Sequence, residues 1–168
     1  MPHDDEEVDH ACGNAVRVVV QRVGEASVSV AEGAGAEREV ARIGPGLLAL
    51  VGFSHEDREE ALTWMARKIA DLRAFEALAG GSGFDRSMRE TEGQLLVVSQ
   101  FTLYGDARKG RRPDFTAAAP YDRAAELYEH FCELCEAELP GRVATGEFGA
   151  RMRLSLVNDG PVTLILER

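Results

Sequence analysis

The sequence predicts an α/β protein, a three-layer β/β/α sandwich with mixed sheets and two main helices on one outer face. Three observations lead there. Hydrophobic periods along the chain give the order β-β-β-β-α-β-α-β-β. Leu47 to Phe53 (LLALVGF) is apolar on both faces, as expected of a strand covered on both sides. Two helices cannot cover both faces of seven strands, so sheets stacked on each other, with the helices outside, are more economical than a doubly wound fold.

Val16 to Val23 (VRVVVQRV) alternates β-branched and polar residues, the period of a half-buried strand. Ala26 to Val30 (ASVSV) repeats the pattern, with Gly24-Glu25 read as a tight turn between them. Gly33 to Glu37 (GAGAE) is a flexible loop and Arg38 to Ile43 a third strand; Gly44-Pro45-Gly46 punctuates the chain before Leu47. Asp57 opens a helix with Glu59 and Glu60 in its first turn, where the helix dipole favours acids, and Leu62, Met65, Ile69 and Leu72 share one face. Gly80 to Gly83 is a loop. Leu95 to Phe101 (LLVVSQF) is a second buried strand, running into the turn Tyr104-Gly105-Asp106. Asp122 to Leu139 is an amphipathic helix that buries Ala124, Leu127, Tyr128, Phe131, Leu134 and Cys135. Met152 to Val157 and Val162 to Leu166 are two last strands flanking Asn158-Asp159-Gly160-Pro161.

The 168 residues are 45% hydrophobic and 29% charged, enough for one domain with a real core. The net charge of -10 argues against a protein held to nucleic acid or membrane by global charge alone. Half of that deficit sits in the first ten residues, MPHDDEEVDH. Residues 1–14 are therefore read as an acidic, disordered tail and 15–168 as a single domain. The start lacks the basic and apolar regions of a secretory signal, and Leu47 to Phe53, the longest apolar stretch, is far short of the ~20 residues of a membrane span. Three cysteines are too few for a disulfide framework. A cytoplasmic protein without a membrane partner is the expectation.

Four segments carry chemistry. Ser99-Gln100-Phe101-Thr102 ends a buried strand, where polar side chains either fray into solvent or line a cavity. Alternation puts Ser99 and Phe101 on one face and Gln100 and Thr102 on the other. Of the four histidines, His3 and His10 lie in the tail and His130 within a helix; His55 alone follows a strand, and no phosphate-binding glycine loop or nucleophile elbow is present. Hydrolysis would then rest on positioning and backbone donors. Gly160-Pro161 is either a plain turn or a cis peptide acting as a rigid backbone reader, since the trans preference before proline is only ~0.5–1 kcal/mol. Arg108, Lys109, Arg111 and Arg112 form a basic loop that is either solvated or holds phosphates. Cys132 and Cys135 have metal-ligand spacing, but Cys135 falls on the apolar helix face and core packing explains them better. No cofactor or metal is implied.

Taken together, these motifs resemble the D-aminoacyl-tRNA deacylases, also called D-tyrosyl-tRNA deacylases. The likeness runs from Val16 to Leu166, through VVVQRVGEASVSV and IGPGLLALVG, and is most specific at SQFTLYGDARKGRRPDF and NDGPVT, with GEFGARM between. It implies the layered β/β/α fold, a homodimer, and hydrolysis of the ester joining a D-amino acid to the 3′-terminal adenosine of tRNA, with the L-enantiomer spared. By resemblance, Ser99, Gln100, Phe101 and Thr102 line the pocket for the adenosine and the ester and are the catalytic segment. Gly160-Pro161 is the cis-peptide reader inserted into the partner's pocket, with Arg22 helping to hold it. Thr102 is a nucleophile on one view; on the other, the substrate's own 2′-hydroxyl assists. With no base beside Thr102, the residues favour the second. Asp85 stands where the family commonly has Asn, the loop Ala31 to Glu37 is longer than usual, and the acidic tail is an extra. A non-catalytic nucleic-acid-binding module on the same fold and a general esterase using Ser99 or Thr102 are the competing functions.

Overall fold

The computed structural model describes residues 16–33, 35–78 and 84–168. The acidic tail, Cys12 and the Gly80 to Gly83 loop fall outside the described residues. Among them, six strands and two α-helices follow in the order β1 (Arg17–Glu32), β2 (Ala36–Ile43), β3 (Gly46–Gly52), α1 (Glu59–Asp71), β4 (Gln94–Ser99), α2 (Tyr121–Glu138), β5 (Val143–Thr145) and β6 (Met152–Glu167).

The long strand β1 organises the molecule. On one side its first half pairs antiparallel with β3 (Arg17 opposite Gly52 to Val23 opposite Gly46) and its second half with β2. On the other side it pairs with β6 along almost its whole length, Arg17 opposite Glu167 to Val30 opposite Met152. β3, β4 and β5 continue the sheet in parallel.

Alternation along β3 and β4 then divides the core in two. Leu47, Ala49, Val51, Leu95 and Val97 pack with Leu62, Met65 and Ile69 of α1 and Leu127 and Phe131 of α2. Leu48, Leu96 and Val98 point the other way, onto Val23, Ala26 and Val28 of β1 and Ile43 of β2. The second half of β1, with β2 and the start of β6, thus lies over the sheet opposite the helices. That is the β/β/α layering, and it explains why LLALVGF is apolar at successive positions: each face of β3 meets a different layer.

Four local expectations are corrected. Gly24-Glu25 is not a tight turn: β1 passes through it unbroken, and the pairing with β6 shifts register between Gln21 and Val23 and again between Val23 and Glu25. Such bulges bend a strand without ending it. The last two strands are likewise one strand, β6, which carries Asn158-Asp159-Gly160-Pro161 within it; the Gly160–Pro161 peptide bond is cis. Asp57 does not open α1, whose N-cap is Arg58. Its carboxylate turns inward instead and accepts from the Ser54 amide and hydroxyl, both at 2.9 Å. Finally, β4 stops at Ser99, and the next residues form a 3-10 turn, Phe101–Tyr104. The short strand β5, three residues long, is absent from the sequence reading because it is below the length at which a period is legible.

Candidate active site

The parallel strands β3 and β4 end side by side, and a cavity of about 520 Å³ opens at their carboxyl ends. Loops beyond the carboxyl ends of parallel strands are where α/β folds place ligands, because neither strand continues to fill the space. Val51, Gly52, Ser99 and Gln100 line one wall, Phe148 and Gly149 the facing turn, and Tyr121 of α2 with Met152 and Leu154 of β6 contribute to the rest.

The chain reverses sharply after Ser99. The Gln100 amide donates to the Val51 carbonyl at 2.7 Å, extending the β3–β4 pairing by one bond, and the 3-10 turn then lifts Phe101 away from the sheet. The reversal depends on glycine at position 52. A Cβ there would lie 2.9 Å from the Gln100 carbonyl oxygen and 3.3 Å from Leu103 Cβ, so the turn sits directly against the β3 backbone.

Ser99, Gln100 and Phe101 all line the cavity; Thr102 is exposed and is not among the lining residues. The strand-like alternation expected of these four therefore fails, because it ends where the 3-10 turn begins. Phe101 is 57% exposed and stands edge-on to Phe115, with ring centroids 5.2 Å apart. The Gln100 side-chain amide donates to the Thr102 hydroxyl oxygen. Among the described residues, no histidine or carboxylate hydrogen-bonds Ser99 or Thr102. His55 lies at the surface, with Nε2 3.9 Å from Glu56.

The facing wall was not identified from sequence as part of the site. Phe148 packs between Tyr121 (5.2 Å) and Tyr128 (5.7 Å). Gly149 has φ +75°, and a Cβ there would run into the Tyr121 hydroxyl. The signal was present in the run GEFGA: an aromatic between glycines marks a turn whose backbone must approach other groups closely.

The second predicted element lies apart from the cavity, along β6. Arg22, only 5% exposed, donates through Nε to the Asp159 carbonyl (3.1 Å) and pairs with the Asp159 carboxylate (3.0 Å). Through Nη1 it reaches the Ala74 carbonyl at 2.7 Å. Asn158 Nδ2 donates back to the Arg22 carbonyl at 2.9 Å. These bonds fix the backbone on the N-terminal side of Gly160 and Pro161, which are themselves exposed.

The basic loop is closed by a two-bond bridge, the Asp106 and Asp114 amides each donating to the other's carbonyl at 2.8 and 2.9 Å. Inside it, Arg108 pairs with the Asp106 carboxylate at 2.6 Å, and its hydrogen bonds hold that carboxyl down to about 2. Lys109, Arg111 and Arg112 are exposed. Cys135 is buried in the core as expected, and burial pushes the Cys132 thiol up to about 12. The Asp85 backbone amide donates to the Phe75 carbonyl at 2.9 Å.

Residues 19–167 match the family model described as D-Tyr-tRNA(Tyr) deacylase. The chain belongs to the D-aminoacyl-tRNA deacylase family. A D-aminoacyl-tRNA deacylase of Chlorobaculum parvum is 53% identical over 152 residues, covering 90% of this chain and 97% of the relative. Those of Myxococcus xanthus (54%, covering 90% and 94%) and Exiguobacterium sibiricum (53%, covering 91% and 100%) are equally similar. Among solved structures, one titled c-Myc DNA Unwinding Element Binding Protein superposes with a TM-score of 0.82 at 40% identity, covering 90% of this chain and 98% of that one. A probable eukaryotic D-amino acid tRNA deacylase superposes at 0.76 over 92% of this chain and all of the other; at 23% identity it speaks to the fold alone. The protein is thus a deacylase, an ester hydrolase acting on D-aminoacyl-tRNA.

Proposed function

We propose that the cavity beyond β3 and β4 receives the 3′-terminal adenosine of D-aminoacyl-tRNA with its ester. The configuration of the amino acid would be read by Gly160 and Pro161 of a second copy of the chain. The observation that carries this is the placement of the two elements. Gly160 lies six residues beyond Leu154, the last β6 residue at the cavity, in a stretch between Asn158 and Thr163 that bulges out of the pairing with β1 and exposes Gly160 and Pro161. A reader that projects from its own sheet in this way is placed to serve a neighbour's cavity. β6 also supports the assembly: among the described residues it pairs only with β1, and it exposes Leu156, Val157 and Ile165 along the strand. An exposed apolar edge strand invites pairing with another copy.

In the assembled site the main-chain oxygens around Gly160–Pro161 engage the substrate's α-amino group and leave no room for an L side chain. Ser99, Gln100 and Phe101 hold the adenosine and the ester, while Thr102 lies at the rim. The ester needs little activation, and no base accompanies the hydroxyls. Cleavage therefore rests on positioning, on backbone N–H groups facing the developing oxyanion, and on the substrate's own 2′-hydroxyl. One well-placed donor is worth about 3–4 kcal/mol in such a step. The exposed Lys109, Arg111 and Arg112, with Arg108 beside them, take the tRNA backbone. The reaction is placed in the cytoplasm with its substrate. No described helix is long and apolar enough to cross a membrane.

The test is hydrolysis of matched D- and L-aminoacyl-tRNA alongside sedimentation of the wild type and of Ile165→Asp. A dimer that cleaves only the D ester, and a monomeric variant that loses activity or discrimination, is the expected result. A fully active and selective monomer overturns the cross-subunit reading. A substrate ending in 2′-deoxyadenosine that is cleaved at the normal rate overturns the 2′-hydroxyl step. The relative titled as a DNA-binding protein gives a second reading, nucleic-acid binding through the same basic loop. An ester left intact by catalytic amounts of protein and protected by stoichiometric amounts would favour binding over turnover.

A further inference from the structure

Tyr128 of α2 is 6% exposed and does not reach the cavity surface, yet its hydroxyl sits where both cavity walls are anchored. It donates to the Val97 carbonyl at 2.9 Å, two residues before Ser99. The same carbonyl accepts the Gly146 amide, also at 2.9 Å, at the start of the turn that carries Phe148 and Gly149. Val97 therefore uses both acceptor sites, one for the facing turn and one for the phenol. The Gly146 carbonyl lies 3.3 Å from the same hydroxyl, which has one proton and spends it on the shorter contact. The Tyr128 ring completes the arrangement by packing against Phe148, 5.7 Å between centroids. Position 146 cannot relax by gaining a side chain, since a Cβ there would lie 2.9 Å from Met152 Sδ.

We infer that Tyr128 is a positioning residue for the deacylase: its hydroxyl fixes the distance between the β4 wall bearing Ser99 and the turn bearing Phe148, and so sets how tightly the substrate's terminal nucleoside is held. The inference rests on the cavity being the substrate site. Burial keeps the phenol protonated, raising its pKa, so it remains a donor across the working pH range. A sequence reading assigns Tyr128 to the core, and its ring is there; only the hydroxyl belongs to the site. Such a role touches ground-state and transition-state binding alike. It predicts a change in KM rather than kcat.

The experiment measures KM and kcat for D-aminoacyl-tRNA in the wild type, Tyr128→Phe, Phe148→Ala and Ile69→Val. The phenylalanine variant keeps the ring and its packing and removes one hydrogen bond. Its KM should rise roughly five- to tenfold with kcat within about twofold of wild type. Ile69→Val trims the α1 core at a residue that does not line the cavity; it should lower the melting temperature and leave KM unchanged, which separates positioning from general loss of stability. If Phe148→Ala raises KM and Tyr128→Phe does not, the inference is overturned while the cavity reading stands. If neither changes KM, the cavity reading falls and the inference with it. A fall in kcat alone for Tyr128→Phe also overturns it, because the hydroxyl then acts on the chemical step.

Discussion

On the proposed reading the end of β4 and the middle of β6 carry the two halves of the deacylase reaction, and the structure holds them in opposite ways. Ser99 leaves a central strand whose neighbours are covered by helices on one face and by a second sheet layer on the other. Its turn rests on Gly52 and its wall is tied to α2 through Tyr128. Gly160 and Pro161 lie on an edge strand, fastened to their own chain by Arg22 and Asn158 and open to solvent otherwise. The difference teaches a division of labour. If the proposed function holds, the cavity is built within one chain, whereas the reader acts only when another copy is brought against it.

The largest effect is expected where the exposed half depends on one buried group. Arg22→Ala removes the guanidinium from the Asp159 carbonyl, its carboxylate and the Ala74 carbonyl. Removing one partner of a buried, hydrogen-bonded charge pair costs about 3–5 kcal/mol in comparable cases; half of this pair is solvent-facing, so the lower end applies. We expect kcat/KM for D-aminoacyl-tRNA to fall about a hundredfold while the protein still melts cooperatively. Full activity would show that the Asn158–Pro161 segment is held without it, and the contrast between the two regions would then fail.

Gly52→Ala attacks the self-contained half. The new methyl meets the Gln100 carbonyl, a backbone atom that cannot swing aside, so the 3-10 turn must shift. Overpacking of this kind costs about 1–3 kcal/mol of stability. A tenfold fall in kcat with D-over-L selectivity retained is the expected outcome, measured by single-turnover hydrolysis. Loss of selectivity instead would mean that the two halves are not separable.

How much of this could be read in advance follows the same division. The layering was legible because β3 and β4 are central: LLALVGF and LLVV meet packing on both faces, and no other arrangement of two helices covers them. The breaks in β1 and β6 were misread because glycine and proline mark a bend and a strand end alike, and only pairing with the neighbour distinguishes them. The SQFT segment was found from polarity at a strand end, but its alternation was assumed past Ser99, where the backbone leaves the strand. Tyr121 and Phe148 went unassigned because helix periodicity and a short turn give no sign that two distant segments share a wall with β4. Asp57 was assigned to a helix start by residue type; its buried pairing with Ser54 is tertiary and leaves no local pattern.

A smaller effect is expected at Thr102. Its hydroxyl accepts from Gln100 and is turned from the cavity lining, and no base stands beside it. Thr102→Ala should therefore retain at least about a tenth of the wild-type kcat, within the range of losing one hydrogen bond. Complete loss, with tRNA binding and dimerisation intact, would restore the nucleophile and move the chemistry from the backbone to a side chain.

The smallest effect belongs to the basic loop, which lies outside both halves. Replacing Lys109, Arg111 and Arg112 together by glutamine should raise KM about fivefold at low salt and leave kcat and the D-over-L ratio alone. The slope of log affinity against log salt should flatten by up to about 2, the counterion release of three phosphate contacts on a single strand. The effect stays small because the chain's net charge of -10 repels the rest of the tRNA. The loop's shape should not change through the ordinary pH range. Asp106 is held down to about 2 by Arg108, so the stabilisation from their pairing is fully present above the usual carboxylate pKa and is lost as pH falls from there through about 2. The ratio of KM between Asp106→Asn and the wild type should accordingly be small and constant from pH 8 to 5. A pH-dependent gap between the two proteins in that window would show that the loop is shaped by a different group.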